Sequence, residues 1–185
     1  MTFPQHSADL ASLSRRGYLL LVPAVAMFLL VKILLLARFQ NVLWDEAVYL
    51  GMGKYLYSLG GSGLWEIIRP PGLPLLIGWI WKAGLPFVLF SKVISVLFGI
   101  GSILLTFAIA NKVFGKRAAL LSVALLASAP VFFRYSSFAL SDIPSAFFVL
   151  AALSLFISRR YFLCGVAAAI AMLFKFPGGL VLAAI

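Results

Sequence analysis

An all-α fold, a multi-pass transmembrane helical bundle with external interfacial helices after the first span, is what this sequence predicts, and three observations predict it. Of 185 residues, 64% are hydrophobic and 11% charged, with a mean hydropathy of +1.12, whereas a soluble domain is roughly 45–50% apolar. The apolar residues fall in long runs. The basic residues, 15 Lys and Arg against 5 Asp and Glu for a net charge of +10, stand at the ends of those runs. There they orient helices in a bilayer, so the charge does not imply a nucleic-acid partner. The single cysteine, Cys164, excludes a disulfide scaffold.

Residues 1–17 read as a polar cytoplasmic tail carrying Arg15 and Arg16. The apolar run Tyr18 to Ala37 is about the 20 residues needed to cross the hydrocarbon. No small-x-small cleavage site follows it, which makes it an uncleaved anchor. Further apolar runs occupy 71–90, 93–111, 118–135, 143–158 and 162–185. Arg15/Arg16, Lys112/Lys116/Arg117 and Arg159/Arg160 are dense positive patches, which the positive-inside rule places in the cytoplasm. An even number of crossings must separate successive patches. The run 71–90 is therefore the one set aside: Pro71, Gly72, Pro74, Gly78, Gly84 and Pro86 interrupt it, and Lys82 follows Trp79 and Trp81. Such a segment suits the membrane surface. The expected scheme has spans at 18–38, 93–111, 118–135, 143–158 and 162–185, all within one transmembrane domain over 18–185, and an external segment over 39–92. The last run lacks a closing polar flank, so the chain is expected to be the N-terminal part of a longer protein.

Four of the five carboxylates fall outside in this scheme: Asp45, Glu46 and Glu66 in the external segment and Asp142 in the second external link, with Asp9 alone in the cytoplasm. From Asp45, the apolar residues Val48, Met52, Tyr55, Leu56 and Leu59 recur at helical spacing, and Gly60-Gly61-Ser62-Gly63 stops the pattern. A helix of about 15 residues with Trp44, Tyr49, Tyr55 and Tyr57 would lie along the interface. Asp45 reads as its N-cap and Glu46 as a first-turn acid.

A cap and a solvated acid would account for Asp45-Glu46 without any function. Likewise, Arg69-Pro70-Pro71 is either an anchor and a rigid turn, with Pro71 opening the next helix, or an Arg held to bind a lipid phosphate or a sugar carboxylate. Asp142 begins a helix beside Pro144, and Arg134 shares its short link, where the two could form an ion pair or face a substrate together. Lys32 and Lys175 lie inside apolar runs. Lys32 is expected to snorkel outward with Arg38. Lys175 precedes the helix break Phe176-Pro177-Gly178-Gly179 and either lines a cavity or serves structure. The chain has no Gly-rich phosphate loop, no GxSxG and no Cys/His metal spacing, and its one histidine, His6, is in the tail. The sequence offers no set of metal ligands. The cofactor is unknown, with a divalent cation left open.

An Asp-Glu pair opening the first external loop, followed by a basic residue and Pro-Pro, resembles the GT-C superfamily of glycosyltransferases, in its protein O-mannosyltransferase-like and lipid A aminoarabinose transferase-like branch. The residues carrying the resemblance are WDEAVYLGMGKYLYSLG at 44–60, RPPGLPLLIGWIWK at 69–82, FGKRAALLSVALLASAPVFFRYSSFALSD at 114–142 and GVAAAIAMLFKFPGGLVL at 165–182. The resemblance implies transfer of a mannose-like hexose or aminosugar from a polyprenyl-phosphate donor to a lipid, protein or glycan acceptor on the outer face of the cell membrane. By the same resemblance, Asp45 is the catalytic acid residue, acting as general base or orienting the acceptor. Arg69 would contact the donor phosphate, Asp142 would support the acceptor side, and Glu46 belongs to the motif. Arg134 and Lys175 complete the candidate substrate-binding set. Arg-Pro-Pro-Gly-Leu-Pro at 69–74 departs from the eukaryotic protein mannosyltransferases, which counts against a protein Ser/Thr acceptor. Two other classes fit the composition. A transporter or flippase for a polyprenyl-linked lipid would want intramembrane Lys and a broken helix but also predicts repeats, and none is evident. A non-catalytic membrane subunit that binds a lipid-linked sugar would tolerate loss of Asp45.

Overall fold

The computed structural model describes residues 15–38 and 41–181. His6, Asp9 and most of the expected cytoplasmic tail lie outside the described residues, as does the end of the last expected span. The chain is all-helical, with no strand among the described residues. The order is α1 (Arg15–Arg38), α2 (Trp44–Tyr57), α3 (Gly72–Lys82), α4 (Phe87–Phe114), α5 (Lys116–Ser128), α6 (Pro130–Tyr135), α7 (Asp142–Ile157) and α8 (Tyr161–Phe174), then a 3-10 turn over Phe176–Leu180.

At 28 residues and about 1.5 Å per residue, α4 exceeds the hydrocarbon thickness of about 30 Å. It is the one helix among the described residues that is long and apolar enough to cross a membrane; Leu21–Leu36, Asp142–Ile157 and Tyr161–Phe174 are shorter apolar helices. Three of the expected spans differ in outline, the last of them, 162–185, because its helix ends at Phe174 and a 3-10 turn follows Lys175. The run 118–135 is two helices, because Ala129 is extended (φ −63, ψ 119) before Pro130, where the proline ring disfavours a helical conformation in the preceding residue. The start of α4 takes in residues 87–92, which were expected on the surface. The break that isolates α3 comes at Gly84, with φ +70, and Pro86.

The helices pack as α7 on α8, α2 on α3, and α4 on both α5 and α7. Phe28, Phe107, Val123 and Phe132 centre one core joining α1, α4, α5 and α6. A second core, which carries the site described below, unites Tyr49 and Leu50 of α2, Leu73, Ile77 and Ile80 of α3, Leu140, and Phe174 of α8. α2 and α3 cross where each has a glycine: a Cβ on Gly78 would lie 2.6 Å from the Gly53 carbonyl oxygen. Phe98, Phe147, Phe148 and Phe174 stack in edge and face contacts with centroids 5.1 to 5.9 Å apart, fixing the end of α8 against α4 and α7.

Lys32 does not snorkel. It is fully buried, donating to the Phe133 carbonyl oxygen and to Ser137 Oγ at 2.7 Å. Its ammonium also lies 3.8 Å from the Phe133 ring centroid and 5.1 Å from that of Phe28. Phe28 sits one helical turn before it, so both side chains face α6, and the charge is met by a carbonyl, a hydroxyl and two ring faces.

Candidate functional site

The N-terminus of α2 presents the first acid. Leu43, in extended backbone, occupies the cap position, and its N–H donates to Glu46 Oε2 at 3.2 Å. Asp45 is therefore inside the first turn and not the cap, as the sequence had suggested; Glu46 has the capping task. Released from that role, the Asp45 side chain is 59% exposed.

The loop after α2 brings the cation. Gly63 has φ +88 in a spot where a Cβ would strike the Gly51 carbonyl and the Tyr55 backbone, and Leu64 then bonds back to Gly51. The chain thus returns along α2, so that Arg69 reaches Asp45 through Nη2 at 2.6 Å and Glu66 through Nε at 2.9 Å. Burial lowers the Arg69 pKa, but hydrogen bonds to Asp45, Glu66 and Tyr49 more than offset it, and the net direction is upward. The guanidinium carbon is 5.1 Å from the ring centroid of Tyr49, one turn along α2 from Asp45.

Tyr49 also joins this cluster to a second one. Its hydroxyl is hydrogen-bonded to Ser141 Oγ at 2.7 Å, and Ser141 immediately precedes Asp142. Asp142 Oδ1 accepts from Lys175 Nζ at 2.5 Å, and both side chains are partly exposed. Lys175 is placed by the expected break: α8 ends at Phe174, Lys175 is extended (φ −154, ψ 124), and the 3-10 turn follows. A Cβ on Gly178 would meet Ser145 Oγ at 2.6 Å, so glycine lets this turn lie against α7.

Of the two arrangements open to Arg134 and Asp142, the ion pair is not formed. Arg134 projects from the last turn of α6 with an exposed side chain and makes no ion pair among the described residues. Lys175, 33 positions away in sequence, takes Asp142 instead. Glu46 is separated from the exposed pair. It is fully buried, with Oε1 accepting the Ala139 N–H at 2.8 Å and Oε2 lying 3.6 Å from Lys92 Nζ. Helical geometry turns consecutive side chains about 100° apart, which points Glu46 inward when Asp45 points out. Lys92, at the start of α4, and Tyr49 escaped the sequence reading as site residues. The one available signal for Lys92 was a cation at the mouth of an apolar run, with Glu46 lacking a partner.

No group of three or more His, Cys, Asp or Glu able to hold a metal comes together among the described residues.

Residues 72–185 match the family model of the dolichyl-phosphate-mannose-protein mannosyltransferases. The chain belongs to that family. Membership in this mannosyltransferase family agrees with the GT-C resemblance and makes the chain a membrane glycosyltransferase of that type. Arg134, Asp142 and Lys175 fall inside the matched stretch, while Asp45, Glu46 and Arg69 precede it. No curated protein and no solved structure matched the chain.

Proposed function

We propose that this mannosyltransferase-family chain transfers a sugar, a mannose-like hexose or an aminosugar, from a polyprenyl-phosphate donor to an acceptor at the outer face of the membrane. The observation that carries the reading is the coupling of two acid–base pairs, Asp45–Arg69 and Asp142–Lys175, through the Tyr49–Ser141 hydrogen bond. Transfer needs a carboxylate to take the acceptor's proton and cations to meet the charge that develops on the departing phosphate. Asp45, the most exposed acid of the two pairs, is suited to the first task. Arg69 and Lys175 are suited to the second.

In this mechanism the acceptor oxygen bonds to the anomeric carbon while its proton passes to Asp45. The bond from that carbon to the phosphate oxygen breaks, and its electron pair leaves with the polyprenyl phosphate. One displacement inverts the anomeric centre and needs no covalent intermediate. Arg69 has a dual position here: it holds Asp45 and offers a planar fork of donors to the phosphate. The basic patches on the opposite side of the expected spans support an outer-face site.

The test is transfer of labelled sugar from polyprenyl monophosphate donors in membranes bearing the full-length protein, wild type beside Asp45→Asn at equal expression. Loss of general-base catalysis predicts a fall of about 10²–10⁴-fold. An Asp45→Asn protein with wild-type turnover would refute the assignment. A wild type that transfers nothing from any donor yet binds the lipid would favour a non-catalytic lipid-sugar-binding subunit.

A further inference from the structure

The buried charges Glu46 and Lys92 lie outside the chemistry proposed above, yet they bind the entrance to the helix that carries Asp45 and the link that leads to Asp142. Both side chains are fully buried, with Lys92 Nζ 3.6 Å from Glu46 Oε2. Lys92 also donates to the Asn41 carbonyl oxygen at 2.7 Å, and its ammonium lies 5.4 Å from the Phe138 ring centroid. Glu46 receives the N–H groups of Leu43, at the entrance to α2, and Ala139, in the link before α7. A buried ion pair is retained at a solvation cost, which apolar residues of the same volume would avoid. Here it does what an apolar pair could not: its directional bonds tie α4 to the entrance of α2, at Asn41 and Leu43, and to the link before α7, at Ala139.

We infer that Lys92 and Glu46 are positioning residues that set the spacing between Asp45 and Asp142. Asp45 is the neighbour of Glu46 on α2, and Asp142 follows Ala139 by three residues. The pair therefore fixes one acid directly and the other through the link. Neither residue touches substrate; both act through where they hold Asp45 and Asp142. The catalytic part of this inference rests on the transferase reading, whereas the spacing itself does not.

The test uses the full-length protein with spin labels at Trp44→Cys and Ala146→Cys, exposed positions beside Asp45 and one turn beyond Asp142. Lys92→Met alone strands a buried carboxylate, so the deciding variant is Glu46→Gln with Lys92→Met, which leaves no unpaired charge and keeps an acceptor for the Ala139 N–H. The expected result is a melting temperature close to wild type, a broadened label–label distance distribution, and a kcat lowered about 10- to 100-fold with donor KM unchanged, because small misplacement of reacting groups is expensive in rate. A distance distribution or a kcat that stays at wild type in the double variant overturns the proposal. Should the double variant not fold, Lys92→Arg keeps the charge in a larger head group; it is expected to fold with the same loss of kcat, and wild-type kcat there overturns the proposal equally. If the wild type itself shows no transfer, the transferase reading fails, and the distance distribution alone decides the positioning role.

Discussion

Arg69 Nη2 stands 2.6 Å from Asp45 Oδ1 although 24 positions separate the two residues, and the same guanidinium spends its Nε on Glu66 at 2.9 Å. One planar cation is thus shared between an acid on a helix and an acid on the returning loop. A lysine ammonium has three donors but gathers them on one atom, without the planar fork that here reaches the two acids from separate nitrogens. Because Asp45 is well exposed and Glu66 partly so, the pairs themselves contribute at most about 1 kcal/mol to stability. Arg69→Lys is therefore expected to leave the melting temperature nearly unchanged while turnover falls about 10²-fold, the scale of losing one positioned donor to a developing anion. Glu66→Gln should lose only a few-fold. Thermal unfolding beside sugar-transfer rates checks both.

The Asp142–Lys175 pair is expected to act as one unit. Asp142→Asn and Lys175→Met should each lower kcat/KM by about 10-fold, and the double variant should be little worse than either single one, since groups in direct contact are strongly non-additive. A double-mutant cycle on transfer rates measures the coupling; strictly additive losses would count against a shared role.

Lys32 makes the opposite kind of prediction. Its ammonium is fully buried with no carboxylate partner among the described residues, so an apolar side chain of similar length avoids the desolvation cost. Lys32→Met is expected to melt at or above the wild-type temperature. Lys32→Ala leaves a cavity between Phe28 and Phe133 and should lose about 2–4 kcal/mol. Denaturant or thermal unfolding in detergent separates the two.

Two glycines should respond in opposite directions to alanine. A Cβ on Gly72 would lie 2.5 Å from the Leu173 carbonyl oxygen, a backbone atom that cannot turn aside, so Gly72→Ala is expected to cost about 1–3 kcal/mol and to move the nearby Arg69. Gly165, inside α8, has nothing within 4 Å of its would-be Cβ, and Gly165→Ala should gain up to about 1 kcal/mol. Paired unfolding curves report the contrast.

The helical class and the approximate bounds of most helices were legible from periodicity, proline and glycine. The α2 helix, its glycine stop and the break after Lys175 are all where local residue chemistry puts them. Ala129–Pro130 was equally visible as a local signal, but the apolar run on both sides masked it. What could not be read was pairing at a distance. Asp142 had Arg134 as its nearby cation in sequence, yet the close of α8 delivers Lys175, because the Phe98–Phe148–Phe174 packing decides where that helix ends in space. Lys32 and Lys92 were similarly hidden: composition treats a lysine in or beside an apolar run as a side chain seeking water, and only the tertiary fold shows a carbonyl or a carboxylate waiting inside.

The segment from Ser137 to Ser141 is fastened at alternate residues: Lys32 holds Ser137, Glu46 holds Ala139 and Tyr49 holds Ser141. A loop is ordinarily where a protein absorbs changes in length, but this one works as a ruler with three marks. Adding or removing a single residue within it would put at least one of the three anchors out of register. Length variation in this part of the chain is thus confined to either side of those five residues, and the interval between α6 and the second acid is set by residue count as much as by residue identity.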